Sequence, residues 1–372
     1  MTIFYIGYEN LDYGGRSLEL LKVLNTVGDV RGVVMSSGNP GFESRLKLAQ
    51  PNCGLFKFIS VVKKEYKKYK DSIDVFFIDT RKAALAALFL GKSIRKKIII
   101  YDMRELRIPS EIKRITSRIG CIPEKRIIEM SNLVICANEE RSVFVKQNYK
   151  VKSVTCFENI RRIDCSLMNN KNVYYEKYKS IFTRHSFKII STSGTALTRG
   201  NDKLVQAFIL IKDKPIDLLL VGGEFGEKGS ERVIKDIIKK ANATNIHLID
   251  KVKSEELLYL IDNCDCGVVN YSSIDTNNKY CASGKIYEFV FAKKPVITTS
   301  NPPLKRMVEK NGIGCSGEDY FEMIKDVMQN YPKYKRNVES LSQKLSVDRN
   351  NEELASTIVT IINSVLKPAN SI

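Results

Sequence analysis

The amino-acid sequence predicts an α/β protein built from two doubly wound, Rossmann-like domains. Three observations lead there. At 372 residues the chain is too long for one ordinary core and about right for two domains of roughly 150 to 190 residues. Short apolar runs rich in Ile, Val and Phe alternate with segments of helical period, the pattern of a parallel sheet covered by helices on both faces. The alternation breaks between Cys165 and Arg184, where the chain turns Asn-, Lys- and Tyr-rich without a clean apolar period, and then starts again.

In the first half the apolar runs predict strands at Ile3–Gly7, Val30–Met35, Asp74–Ile78, Lys97–Tyr101, Leu133–Ala137 and Ser153–Phe157. Helices are expected near Arg16–Asn25, Phe58–Tyr69, Arg81–Leu90 and Arg141–Asn148. The second half predicts strands at Lys188–Thr192, Asp217–Val221, Ile246–Ile249, Gly267–Tyr271 and Pro295–Thr299, with a short one around Gly314. Helices fall between them at Lys203–Ile211, Glu231–Ala241, Glu255–Asn263, Lys285–Ala292 and Leu304–Glu309, then at Tyr320–Gln329. From Asn350 to Leu366 a stripe of Leu354, Ile358, Ile361, Ile362 and Val365 suits packing against a core. The expected organisation is a first domain over 1–165, a linker over 166–186, a second domain over 187–345 and a C-terminal helix over 346–372.

Composition narrows the function classes. No stretch approaches the roughly 18 to 20 apolar residues that span a bilayer. Met1–Gly7 lacks a basic n-region and cleavage site and reads as a strand, so the protein is expected in the cytoplasm. Nine cysteines are scattered without a C-x-x-C pair, which reads as free thiols. Two histidines, His185 and His247, give a zinc site little material, and no structural metal is expected. The net charge is +18, and Lys57–Arg126 carries 19 Lys/Arg against 8 Asp/Glu. Such a surplus either attracts phosphate groups on nucleic acid, anionic lipid or a diphosphate-linked acceptor, or is a solvated face. Two stretches within it, Arg81–Lys97 and Val61–Lys70, combine apolar residues with cations. Either they lie on an anionic membrane surface or their apolar part is buried; peripheral association at the inner face of the membrane would then be salt-sensitive.

Three segments of the second half carry candidate chemistry. Ser193–Leu204 follows a predicted strand and precedes a predicted helix, with Gly194, Thr195, Arg199 and Gly200 at the mouth, where backbone amides and a guanidinium suit a phosphate. Alone, such a loop can simply make a turn. Leu219–Glu224 ends a strand in Gly222 and Gly223, at the edge where ligands of parallel sheets sit. Lys279–Thr299 runs from a polar loop into a helix whose start holds Ser283, Gly284, Lys285 and Glu288. Glu288 is either a carboxylate stabilised by the helix dipole or an acceptor for ribose hydroxyls, with the amides at Ser283, Gly284 and Lys285 on a pyrophosphate.

These segments, with Ile246–Val252 and Ser254–Tyr271, resemble the retaining GT-B glycosyltransferases of family 4 over nearly all of 187–330. In the first half the resemblance is confined to the strand pattern, Gly14–Gly15 and Phe157-Glu-Asn-Ile160. It implies a GT-B fold with two domains facing a central cleft and a C-terminal helix packing back toward the N-terminal domain. It further implies a nucleotide-sugar donor, UDP- or GDP-linked, bound by the second domain, and an acceptor, lipid-linked or surface-polysaccharide glycan, held by the first. Arg199 keeps the second of the family's two phosphate-binding basic positions, and Thr195 replaces the first. The family's paired glutamates fall on Tyr280 and Glu288, so the ribose-side glutamate is kept and the sugar-side one is lost.

No Asp-x-Asp triplet occurs, so metal-independent transfer is expected, with Arg199 and Lys285 meeting the leaving diphosphate. The family resemblance implies retention of configuration. On the acceptor side, Tyr101-Asp-Met-Arg-Glu105 follows the fourth predicted strand: Asp102 and Glu105 would orient or deprotonate a hydroxyl and Arg104 would hold a phosphate, or the segment is a charged cap before Pro109. A nucleotide-sugar 2-epimerase of the same fold, a basic nucleic-acid-binding protein and an inert GT-B subunit are the rival readings. The cationic stretch lacks aromatic-interleaved strand-binding patterns, and no nucleic-acid partner is expected.

Overall fold

The computed structural model describes residues 1–12, 15–38, 45–51, 53–160, 169–224 and 226–366. The chain divides into one unit of Met1–Asn159 with Ser346–Ile372, and another of Ile160–Leu345.

The first unit starts β1 (Thr2–Asn10), α1 (Gly15–Val27), β2 (Asp29–Met35), β3 (Leu46–Ala49) and α2 (Leu55–Tyr69). It continues β4 (Val75–Asp79), α3 (Arg81–Leu88), β5 (Ile98–Met103), α4 (Ile115–Ile119), α5 (Cys121–Met130), β6 (Leu133–Cys136), α6 (Glu139–Asn148) and β7 (Val154–Cys156). Among the described residues the strands form a seven-stranded sheet in the order β3-β2-β1-β4-β5-β6-β7, with every pair parallel. Burial on both faces is why β4 and β5 are continuous apolar runs: every residue of Val75–Asp79 and of Ile98–Met103 is buried. The first run ends in Asp79 and the second carries Asp102 one residue before its end, and the two aspartates are register partners on neighbouring strands.

The second unit begins with α7 (Lys171–Phe182) and runs through β8 (Phe187–Ser191), α8 (Asn201–Leu210), β9 (Ile216–Val221), α9 (Ser230–Lys240), β10 (Ile246–Ile249), α10 (Ser254–Asp262) and β11 (Cys266–Val269). Then come α11 (Thr276–Lys279), α12 (Gly284–Phe291), β12 (Val296–Thr299), α13 (Pro302–Asn311), β13 (Gly314–Gly317) and α14 (Tyr320–Lys344). Its sheet is parallel throughout, in the order β10-β9-β8-β11-β12-β13. The order reverses between β8 and β11, and the carboxyl ends of those strands are where parallel sheets take ligands.

Beyond the short helices α4 and α11, which were not expected, four elements differ from expectation, each for a local reason. β3 is a four-residue edge strand with an exposed Lys47, too short for its period to show. α5 buries Ile127 and Ile128 behind a charged sequence that reads as loop. α7 occupies the stretch expected as linker: Tyr178 and Ile181 are buried, and the rings of Tyr174 and Phe182 lie 5.6 and 6.0 Å from that of Tyr259. α14 runs through Pro332, which removes one amide hydrogen bond, because residues on both sides of it, Val327 and Val338, are buried.

The last helix, α15 (Val347–Leu366), places Leu354, Ile358 and Ile362 in the core of the first unit beside Leu20, Leu24 and Phe157. Ile361 packs at its margin and Val365 is exposed. Every described cysteine is a free thiol, and no described helix is long and apolar enough to cross a membrane. Of the motif residues named above, Gly14, Cys165 and the first three residues of the expected linker lie outside the described residues.

Candidate functional site

In the second unit the site residues converge through backbone turns. Between β8 and α8 the chain folds back at Gly194 (φ +60°), and after β9 it turns at Gly222 (φ +126°) and Gly223 (φ +62°). The two turns are bonded to each other: the Gly194 amide donates to Val221 O at 2.9 Å and the Thr195 amide to Gly223 O at 2.8 Å. A Cβ on Gly194 would stand 2.0 Å from the Gly223 carbonyl oxygen, so both the left-handed backbone and the close approach require glycine.

Thr195 does not face outward. It is 2 % exposed, and its hydroxyl lies 3.1 Å from Gly223 O and 2.9 Å from Ser230 Oγ. Its side chain therefore braces the turn.

Beneath the turns lies a buried polar network. Ser193 Oγ donates to Asn270 Oδ1 at 2.8 Å, Asn270 Nδ2 donates to Asn201 Oδ1 at 2.8 Å, and Asn201 Nδ2 donates to Gly194 O at 2.9 Å. The network ties the end of β8, the start of α8 and the end of β11 together. Arg199, in the 3-10 turn before α8, extends along this edge: its guanidinium lies 4.0 Å from the ring centroid of Tyr271, and Nη1 donates to Asn270 O at 3.2 Å. Lys285, on the first turn of α12, donates from Nζ to Thr192 O at 2.6 Å. Two cations are thus held at the carboxyl ends of adjacent strands.

At the start of α12, Ser283 is buried, its Oγ has no hydrogen-bond partner, and it makes no side-chain cap. Gly284 follows, and Glu288 stands one helical turn beyond Lys285, half-buried. Tyr280 closes the short helix α11 and is also half-buried.

The first unit carries a second constellation at the carboxyl ends of β1, β4 and β5. Asp102 is fully buried. Its carboxylate accepts from Arg16 through Nη2 at 2.7 Å and Nε at 3.1 Å, while Arg16 Nη1 donates to Phe157 O at 2.7 Å. Asp102, expected from sequence as an acid/base group, is thus the counter-ion of a buried arginine in the fold. Burial works against the Arg16 charge, and the neighbouring carboxylate outweighs it, holding the guanidinium above its ordinary range.

Asp79 accepts from Tyr5 Oη and Ser17 Oγ, both at 2.6 Å, and from Arg104 Nη2 at 3.0 Å. Burial, then the charge of Asp102, pushes its carboxyl up to about 7. Arg104 also pairs with Glu9. Arg16, Asp79, Tyr5 and Ser17 were not singled out from sequence, although an aspartate closing an otherwise apolar strand, as in Val75-Phe-Phe-Ile-Asp79, was a readable sign.

Glu105 is exposed, pairs with Arg107, and lines a cavity of about 400 Å³ together with Tyr8, Arg81, Lys82, Arg104 and Arg107. Thr80, also on its wall, has φ +83° and a hydroxyl without a hydrogen-bond partner. A non-glycine residue so placed marks a turn whose strain the surroundings hold.

No family model matches the sequence, and no curated protein matches it either. Solved structures do. Sucrose-phosphate synthase from Thermosynechococcus elongatus superposes with a TM-score of 0.69 at 13% identity, covering 99% of this chain and 100% of that one. Anabaena Alr3699/HepE in complex with UDP-glucose gives 0.70 at 16% identity, covering 97% and 100%. WaaG, a glycosyltransferase involved in lipopolysaccharide biosynthesis, gives 0.66 at 13%, covering 96% and 99%. Likeness over whole chains at such low identity is likeness of fold, and with two all-parallel sheets in two units it establishes this chain as α/β with the GT-B fold.

Proposed function

We propose that the protein is a glycosyltransferase that moves a sugar from a UDP- or GDP-sugar to a lipid-linked or surface-polysaccharide acceptor, without a metal and with retention of configuration. The observation that carries this reading is the pairing of the Gly194 and Gly222–Gly223 turns with Arg199 and Lys285 at one sheet edge. Glycine turns bring backbone amides close to a diphosphate, and two cations stabilise its charge as the sugar leaves. The orphaned Ser283 hydroxyl and the amides of Gly284 and Lys285 suit a phosphate oxygen at the start of α12, with Glu288 accepting from ribose hydroxyls. A structural neighbour crystallised with UDP-glucose makes UDP-sugars the first donors to test.

On the acceptor side the reading assigns the acid/base role to Glu105, exposed on the 400 Å³ cavity, and makes Asp102 a positioning residue that holds Arg16. The Lys57–Arg126 surplus supports salt-sensitive association with an anionic membrane face.

The test follows nucleotide release from UDP-, GDP-, ADP- and dTDP-sugars with and without a lipid extract as acceptor, in EDTA. Release that requires the extract supports transfer. Conversion of the donor sugar to its epimer without any acceptor would instead identify an epimerase.

A further inference from the structure

Beside the 400 Å³ cavity lies a second one, of about 550 Å³, and the two share Arg107 and Glu124 in their walls. Their chemistries differ. The first is lined by Arg81, Lys82, Arg104 and Arg107 with the unpartnered Thr80 hydroxyl, at the amino end of α3; Glu9 and Glu105 line it too, paired with Arg104 and Arg107, which leaves Arg81 and Lys82 as the cations without a carboxylate partner on its wall. The second is lined by Ile108, Pro109, Ile119, Ile122, Phe144 and Tyr149. Its wall is unusual for a water-facing surface: Ile119 and Ile122 are 58 and 69 % exposed, and Ile115, one turn before Ile119 in α4, is 72 % exposed. Lys113, Arg114, Arg118, Lys125 and Arg126 stand among them in the sequence, with Arg118 and Lys125 on the groove wall itself. Exposed isoleucines bordered by cations match a hydrocarbon chain that carries negative charge at one end.

We infer that these joined cavities form one binding site for a lipid phosphate, the phosphate among Arg81, Lys82 and Arg107 and the alkyl chain along the apolar groove over Ile119 and Ile122. The placement follows from charge complementarity at the head and from apolar lining along the tail. Glu124 lies at the junction: its Oε1 accepts from Tyr101 Oη at 2.7 Å, and burial pushes its carboxyl up to about 7, which reduces its repulsion of an anionic head. That this lipid phosphate is the sugar acceptor rests on the transferase reading; the binding site itself does not.

The chain contains no tryptophan, so Ile122→Trp creates a single fluorescent reporter at an exposed position. Dodecyl phosphate, below its micellar concentration, is expected to blue-shift that emission and to saturate it at one molecule per chain, while inorganic phosphate leaves it unmoved. By calorimetry on the full chain, Ile119→Asp and Lys82→Glu should each weaken dodecyl phosphate at least tenfold, and dodecyl maltoside should bind at least tenfold more weakly than dodecyl phosphate. UDP-glucose binding by the same samples serves as the check on folding and on the donor reading. Dodecyl phosphate binding untouched by both variants, inorganic phosphate binding as tightly as the lipid, or no lipid binding by a sample that takes UDP-glucose would each overturn the site. Lipid binding that obeys the variants in a protein that takes no nucleotide-sugar would keep the site and remove its role in transfer.

Discussion

The Lys285 ammonium donates to the Thr192 carbonyl oxygen over 2.6 Å, which tethers the first turn of α12 to the end of β8. With Arg199 against Tyr271 and Asn270, it gives the sheet edge two cations whose positions are set by backbone carbonyls. A charge-assisted hydrogen bond to a ligand contributes about 1.5 to 3 kcal/mol, so Arg199→Ala and Lys285→Ala should each weaken nucleotide-sugar affinity roughly 10- to 100-fold. Both side chains are only half-buried, so thermal midpoints should stay close to wild type. Isothermal titration with UDP-glucose and differential scanning calorimetry read the two effects separately.

Glu288→Ala should cost about tenfold or more in the same titration, with UDP-glucose and uridine affected alike if the carboxylate meets the ribose. Loss of UDP-glucose binding with uridine binding intact would move Glu288 off the ribose.

Gly194→Ala is a fold prediction. The new methyl would meet Gly223 O at 2.0 Å on a backbone at φ +60°, so the loop has to shift. Urea denaturation should show a loss of about 2 to 4 kcal/mol, and donor binding should fall with it.

Asp102 and Glu105 separate by variant. Removing one partner of a buried ion pair costs about 3 to 5 kcal/mol, so Asp102→Asn, which leaves Arg16 buried beside a neutral amide, should lower stability strongly. Glu105→Gln, on an exposed side chain, should change stability by less than about 0.5 kcal/mol. If Glu105 is the acid/base group, its turnover should fall about 100-fold or more, with substrate affinity little changed.

Glu124 predicts a pH dependence of known sign. Its carboxyl, ordinarily near 4.5, is pushed up to about 7 in the folded chain by burial. Between those values the native state holds a proton that the unfolded chain has released, so this group's contribution is present at low pH and is lost as pH rises through the window. Thermal midpoints across pH 4.5 to 8 should therefore decline less in Glu124→Gln than in wild type.

The alternation of apolar runs and helical segments made both sheets legible, because a strand buried on both faces leaves an unbroken apolar signature; Val75–Asp79 and Ile98–Met103 are examples. The short edge strand Leu46–Ala49 and the aromatic packing of Tyr174, Tyr178 and Phe182 carry no such pattern, since four residues are too few for a period and tyrosines read as polar. Among site residues, the glycines were readable from their place between strand and helix. The inward turn of Thr195 and the burial of Asp102 were not, because each depends on a partner far along the chain: Ser230 in one case, Arg16 in the other.

The most direct measurement is a thermal-shift series with UDP-, GDP-, ADP- and dTDP-sugars in EDTA, run on the wild type and Arg199→Ala. At least one donor should raise the wild-type midpoint and raise that of the variant much less. No shift from any donor, a shift that returns only when a divalent cation is restored, or an equal shift in both proteins would contradict metal-independent binding of a sugar nucleotide at this sheet edge.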